Sequence, residues 1–106
     1  MIGKFEELTL LALMKAGPDA HAAKVYAAME EKLNTVPKFA ALYTTLDRMA
    51  KKKLVKERQS SARGGRPKRL FTITGEGRRA LDDAVNASRL LLDDISGLLG
   101  ALKRHG

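Results

Sequence analysis

FAALYTTLDRMAKKKLV, residues 39–55, decides how this chain folds. Phe39, Leu42, Leu46 and Met49 recur at i, i+3, i+7 and i+10, which is one face of an α-helix. The spacing predicts a helix over about residues 37–53, with Pro37 at its first position, where the missing N–H costs nothing. Lys38, Ala41, Thr44, Thr45, Arg48, Lys51 and Lys52 are expected to lie away from the buried stripe, with Tyr43 at its edge. Hydroxyls bond phosphates or base edges, cations neutralise phosphate, and a threonine methyl can touch thymine. A cation at a helix start, as Lys38 would be, opposes the dipole and makes better sense beside a phosphate.

Upstream, Phe5, Leu8, Leu11, Leu13 and Met14 predict a first helix. Residues 10–14 are apolar on every face, so this helix should be covered on more than one side. Gly17-Pro18 stops it. Asp19 is expected to cap a second helix over 20–33, with Ala22, Val25, Met29 and Leu33 at helical spacing. Downstream, residues 54–59 and 68–74 are β-compatible runs joined by the turn-rich SSARGGRP, which predicts a hairpin. Thr74 then caps a fourth helix over 75–103, with Glu76 in its first turn. Leu81, Ser88, Ile95 and Leu102 recur every seven residues, and Ala84, Leu91 and Leu98 fill the second heptad position. That pattern suits packing along another long helix, the alternative being a helix folded back on its own domain.

Three helices followed by a hairpin is the winged helix-turn-helix plan: mainly α (α+β), with a two-stranded β wing and a long C-terminal helix. The expected division is a DNA-binding domain over 1–75 and a dimerisation helix over 76–106, with Leu10, Leu13, Leu81, Leu91, Ile95, Leu98 and Leu102 in the dimer seam. The expected DNA contacts are Lys38, Tyr43, Thr44, Thr45, Arg48, Lys51 and Lys52 on the third helix and Arg63, Arg66 and Lys68 in the wing. Glycines let the wing approach closely, and arginines fit a narrow, negative minor groove. Each part also has a plainer reading. Tyr43 could be a half-buried core residue, the threonines solvated surface, the lysine triplet a helix C-terminus, and the wing a flexible basic loop.

Charge separates these readings. The net charge is +8, and residues 36–79 hold thirteen bases and three acids, net +10, while 1–35 and 80–106 are each net −1. A basic segment between near-neutral flanks points to a polyanion partner, double-stranded DNA. The 106 residues imply one small domain whose core is marginal without a second subunit. With no cysteine there is neither a disulfide nor a thiolate metal site. The apolar runs fall far short of a membrane span, and Met1 leads straight into an acidic helix without a signal peptide, so a cytoplasmic protein is expected. Catalysis finds little support: His21 and His105 stand in separate elements, and no glycine-rich phosphate loop opens a helix, so no cofactor is expected. The competing readings are a non-specific architectural DNA binder, a winged helix used for protein contacts, and an enzyme.

The residues resemble the PadR-type transcriptional regulators in their small form with a single C-terminal helix. Ala16-Gly17-Pro18 with His21, the run LYTTLDRM (42–49), KLV (53–55), and GGRPKRLFTIT (64–74) followed by Gly77-Arg78 carry the resemblance over nearly the whole chain. Lys38 and Ala40 stand where the family usually has serine and glycine. The resemblance implies a homodimer whose C-terminal helix packs on the partner's first helix. It also implies repression at an inverted-repeat operator, relieved by a small-molecule effector near the dimer interface.

Overall fold

A computed structural model of the chain describes residues 1–61 and 65–98. The elements follow in the order α1 (Lys4–Ala16), α2 (Ala22–Glu30), α3 (Phe39–Lys51), β1 (Val55–Gln59), β2 (Arg69–Ile73) and α4 (Gly75–Asp94). This is the expected winged helix, with four helices and a two-stranded antiparallel sheet among these elements.

Local chemistry sets the boundaries. α1 opens at Gly3, whose N–H donates to Glu6 Oε1 at 2.9 Å, and it closes at Gly17, which at φ 90° takes a conformation that side chains resist. Asp19 does not cap α2, as its position suggested. Ala20 exchanges backbone hydrogen bonds with Phe71 at 3.0 and 2.8 Å, adding a short third rung to the sheet. The helix therefore cannot begin before Ala22, and His21 caps it by accepting the Lys24 N–H on Nδ1 at 3.3 Å. Asp19 instead pairs with Arg58 at 2.9 and 3.0 Å, and its N–H donates to Thr72 Oγ1. Pro37 likewise lies before α3 rather than in it, where its carbonyl accepts the Tyr26 hydroxyl at 2.7 Å.

β1 and β2 pair from Val55↔Ile73 to Gln59↔Arg69. Lys53, at φ 63°, turns the chain out of α3, and its carbonyl accepts the Thr74 hydroxyl at 2.7 Å. Thr74 Oγ1 in turn caps α4 by accepting the Gly77 N–H at 3.0 Å, as the sequence predicted. Leu10, Leu13, Val25, Leu42, Leu46, Met49 and Phe71 form the centre of the core.

Three of the expected dimer residues belong to that core. Leu10, Leu13 and Leu81 are buried within the chain itself. The α1 stripe that includes Leu10 and Leu13 faces inward, which leaves Leu11 and Met14 as its exposed apolar residues. Leu91, Ile95 and Leu98 are exposed, with Leu90 and Leu92 beside them; Leu91 retains 72% of its surface. The continuous helix expected over 75–103 is interrupted, since Ile95 leaves helical geometry at φ −115° and ψ 14° and helical backbone resumes at 96–98. Leu102 lies outside the described residues.

Candidate nucleic-acid interface

α3 buries Leu42, Thr45, Leu46 and Met49. Thr45 was expected to point outward but is only 3% exposed. At 3.6 residues per turn it lies about 60° around the axis from Leu42 and about 40° from Met49, so it shares their buried side. The outward ridge is therefore Ala40, Thr44, Asp47, Arg48 and Lys51, all exposed. Thr44 donates its hydroxyl proton to the Ala40 carbonyl at 3.3 Å, which leaves its oxygen free to accept. Phe39, expected in the core, is partly exposed and stacks edge-on between Tyr26 and Tyr43, each ring 5.2 Å away. Tyr43 is half-buried at the edge of the ridge, as predicted.

Two ion-pair networks flank this ridge. On the α1 side, Glu6 Oε2 accepts from Lys52 Nζ at 3.0 Å and from Arg48 Nε at 3.4 Å, and Arg48 Nη2 points to Thr45 Oγ1 at 3.5 Å. The Glu6 side chain is only 7% exposed. Its carboxyl is held below the usual carboxylate range, first by the Gly3 N–H and then by Lys52 and Arg48, against the opposing effect of burial. On the wing side, Arg69 forms a fork on Glu57 at 2.6 and 2.8 Å and also bonds Asp47. Its guanidinium lies 5.4 Å from the Tyr43 ring and 5.2 Å from the Phe71 ring, so aromatic faces add to the carboxylates. The Glu57 hydrogen bonds, followed by that to Asp47, raise the Arg69 pKa further, and Glu57 is lowered in return.

The hairpin continues past its strands, with Ser60 N–H donating to the Lys68 carbonyl at 2.9 Å and Lys68 N–H donating to Ser60 Oγ at 3.0 Å. That stem places Arg66 and Lys68 on the surface. A cleft of about 430 Å³ runs between the start of α2, Tyr43 and the wing residues Pro67, Lys68 and Arg69. Among the described residues, Lys38, Lys51, Lys53, Lys56, Arg66 and Lys68 make no ion pair, while Arg48, Lys52, Arg58 and Arg69 do. Arg63 lies outside the described residues. Sequence reasoning missed Glu6, Asp47, Glu57 and Arg69. Strand alternation carried a signal for two of them: Glu57 and Arg69 share the face of Val55, Phe71 and Ile73, so they had to approach the helices.

The transcriptional regulator PadR-like family model matches residues 10–83, which include the second half of α1, all of α2 and α3, the hairpin and the start of α4. The chain belongs to this family. PadR-like proteins are DNA-binding transcription regulators rather than enzymes, and the winged helix is their DNA-binding fold. Among solved structures, a PadR family regulator from Clostridium difficile R20291 is 23% identical, with TM-score 0.76 over 92% of this chain and 99% of the other. A PadR-like regulator from Bacillus cereus is 18% identical, with TM-score 0.72 over 90% of each chain. A winged-helix DNA-binding protein from STIV is 11% identical, with TM-score 0.69 over 84% of this chain and 91% of its own. No curated protein matches the chain.

Proposed function

We propose that the chain is a homodimeric repressor of the cytoplasm that reads an inverted-repeat operator, with repression relieved by a small molecule. The observation that carries the reading is the outward ridge of α3, where Thr44 and Arg48 project between the cations Lys38 and Lys51 while Leu42, Leu46 and Met49 on the other side are buried. Thr44 and Arg48 read bases from this ridge, Arg48 through a bidentate contact to guanine. Lys38, Tyr43 and Lys51 set the helix on the phosphates, and Lys52 adds charge behind them. The wing, through Arg63, Arg66 and Lys68, adds backbone and minor-groove contacts. Thr45, being buried, has no part in base reading.

The dimer is supported by the apolar face that α4 leaves open. Leu91, Ile95 and Leu98 need covering, and so do Leu11 and Met14 on α1. A groove of about 200 Å³ between α1 and α2, lined by Leu8, Leu11, Ala12, Met29 and Leu33, suits a partner's helix. A two-fold dimer of this motif requires an inverted repeat with half-sites about one helical turn apart. For the effector, a cleft of about 520 Å³ between Ile2, Leu54, Ala80 and Asp83 is of ligand size and has Lys52 on its wall.

Selection from a random duplex library tests the reading. Wild type is expected to enrich an inverted repeat. Thr44→Ala and Arg48→Ala should each relax preference at defined positions by about 1–3 kcal/mol, and Thr45→Ala should leave preference intact. A library that emerges unenriched would overturn the operator reading.

A further inference from the structure

We infer that Glu6 determines specificity by positioning Arg48: its buried carboxylate, fixed within α1, orients the guanidinium presented to DNA by α3. The inference rests on the base-reading role proposed for Arg48 and adds to it the residue that makes such reading selective.

Of the partners in this network, the carboxylate is the one held in place. Glu6 Oε1 is tied to the Gly3 N–H at 2.9 Å, and the side chain is 7% exposed. Its second oxygen therefore faces α3 from a fixed position. Arg48 and Lys52 are about half exposed and sit on long stems, so they follow the carboxylate rather than place it. Arg48 turns its Nε edge inward, with Nε towards Glu6 at 3.4 Å and Nη2 towards Thr45 Oγ1 at 3.5 Å. A guanidinium has five N–H donors in a planar fork. With the Nε edge facing the protein, the end-on pair of N–H groups remains, and that pair matches guanine O6 and N7.

Charge acts in the other direction. A carboxylate among the cations of a DNA-binding helix cancels part of their attraction for phosphate. Glu6 therefore weakens binding to every duplex while it restricts how Arg48 can approach a base. Removing the charge should move these two properties in opposite directions, whereas loss of a merely structural residue would weaken both.

The test measures binding of the full chain to a duplex selected by wild type and to a random duplex, across a salt series. Glu6→Gln keeps an acceptor for the Gly3 N–H, and a thermal melt verifies its fold. Random-duplex binding should tighten, its salt slope should steepen by about one per subunit, and the selected-to-random ratio should fall about fivefold or more. Arg48→Lys leaves Glu6 in place and supplies the check if Glu6→Gln does not fold. It keeps the charge but loses the fork, so the ratio should fall equally with random binding unchanged. A folded Glu6→Gln protein that retains the wild-type ratio overturns the inference, as does an Arg48→Lys protein that retains it. If wild type itself prefers no duplex, the operator reading fails, and this inference with it.

Discussion

Gly77 has no room for a methyl group. A Cβ built there would stand 2.1 Å from the Leu54 carbonyl oxygen and 2.8 Å from Ile73 Cγ1, because the first turn of α4 lies directly on the turn between α3 and β1. Neither obstacle is the end of a flexible side chain. Gly77→Ala should therefore destabilise the fold by about 1–3 kcal/mol or more, while Gly75→Ala, with nothing within 4 Å, should not. Equal melting temperatures for the two variants would contradict this packing. Glu6 supports a second expectation. Its carboxyl titrates lower in the folded chain than in the unfolded one, so it contributes stability above the ordinary carboxylate pKa and loses it as pH falls through the folded value. Below about pH 5, Glu6→Gln should lose stability less steeply than wild type in acid denaturation; matching acid limbs would argue against it. Residues differ in how far the sequence alone reveals them. Thr74 declared itself by standing just before the fourth helical pattern. Thr45 did not, because a polar residue at the edge of the buried stripe, about 40° from Met49, is inside or outside according to where the neighbouring elements lie.

Arg69 ties the strands of the wing to α3. Its guanidinium joins Glu57 on β1, Asp47 on α3 and the faces of Tyr43 and Phe71. An arginine at the base of a basic hairpin invites assignment as a phosphate contact, yet this one is already engaged by two carboxylates. Arg66→Ala should weaken binding to random and selected duplexes alike and lower the salt slope by about one for each phosphate left without its arginine. In an Arg69→Ala background the same substitution should cost less, since a wing no longer held to α3 engages the backbone poorly. Strict additivity of the two substitutions would show that the clamp does not position the wing. The order of elements was legible throughout: helical spacing gave α1 to α3, and the Gly/Pro-rich loop between two β-compatible runs gave the hairpin. The short strand at Ala20 was not legible, because a single bridge to Phe71 leaves no periodicity to read. It also displaced the predicted cap from Asp19 to His21.

At the scale of the molecule, α4 carries more apolar surface than its own domain covers. Leu81 and Ala84 are buried against that domain, but from Leu90 to Leu98 the apolar side chains face outward. The heptad spacing suited packing along another long helix, and the apolar residues from Leu90 to Leu98 are exposed in the chain by itself. Leu91→Asp would set a charge in the middle of this face. In sedimentation the wild type is expected as a dimer and the variant as a monomer, with operator affinity reduced at least tenfold; an unchanged monomer in both would refute the seam. A further consequence concerns gene control. In the proposed dimer the chain would complete its apolar surface by meeting a second copy, and its activity would then depend on its own abundance. Below the dimer dissociation constant, the species able to span an inverted repeat grows as the square of total protein. Operator occupancy would then rise over a narrow range of expression, and the strength of the α4 contact would set where that range lies.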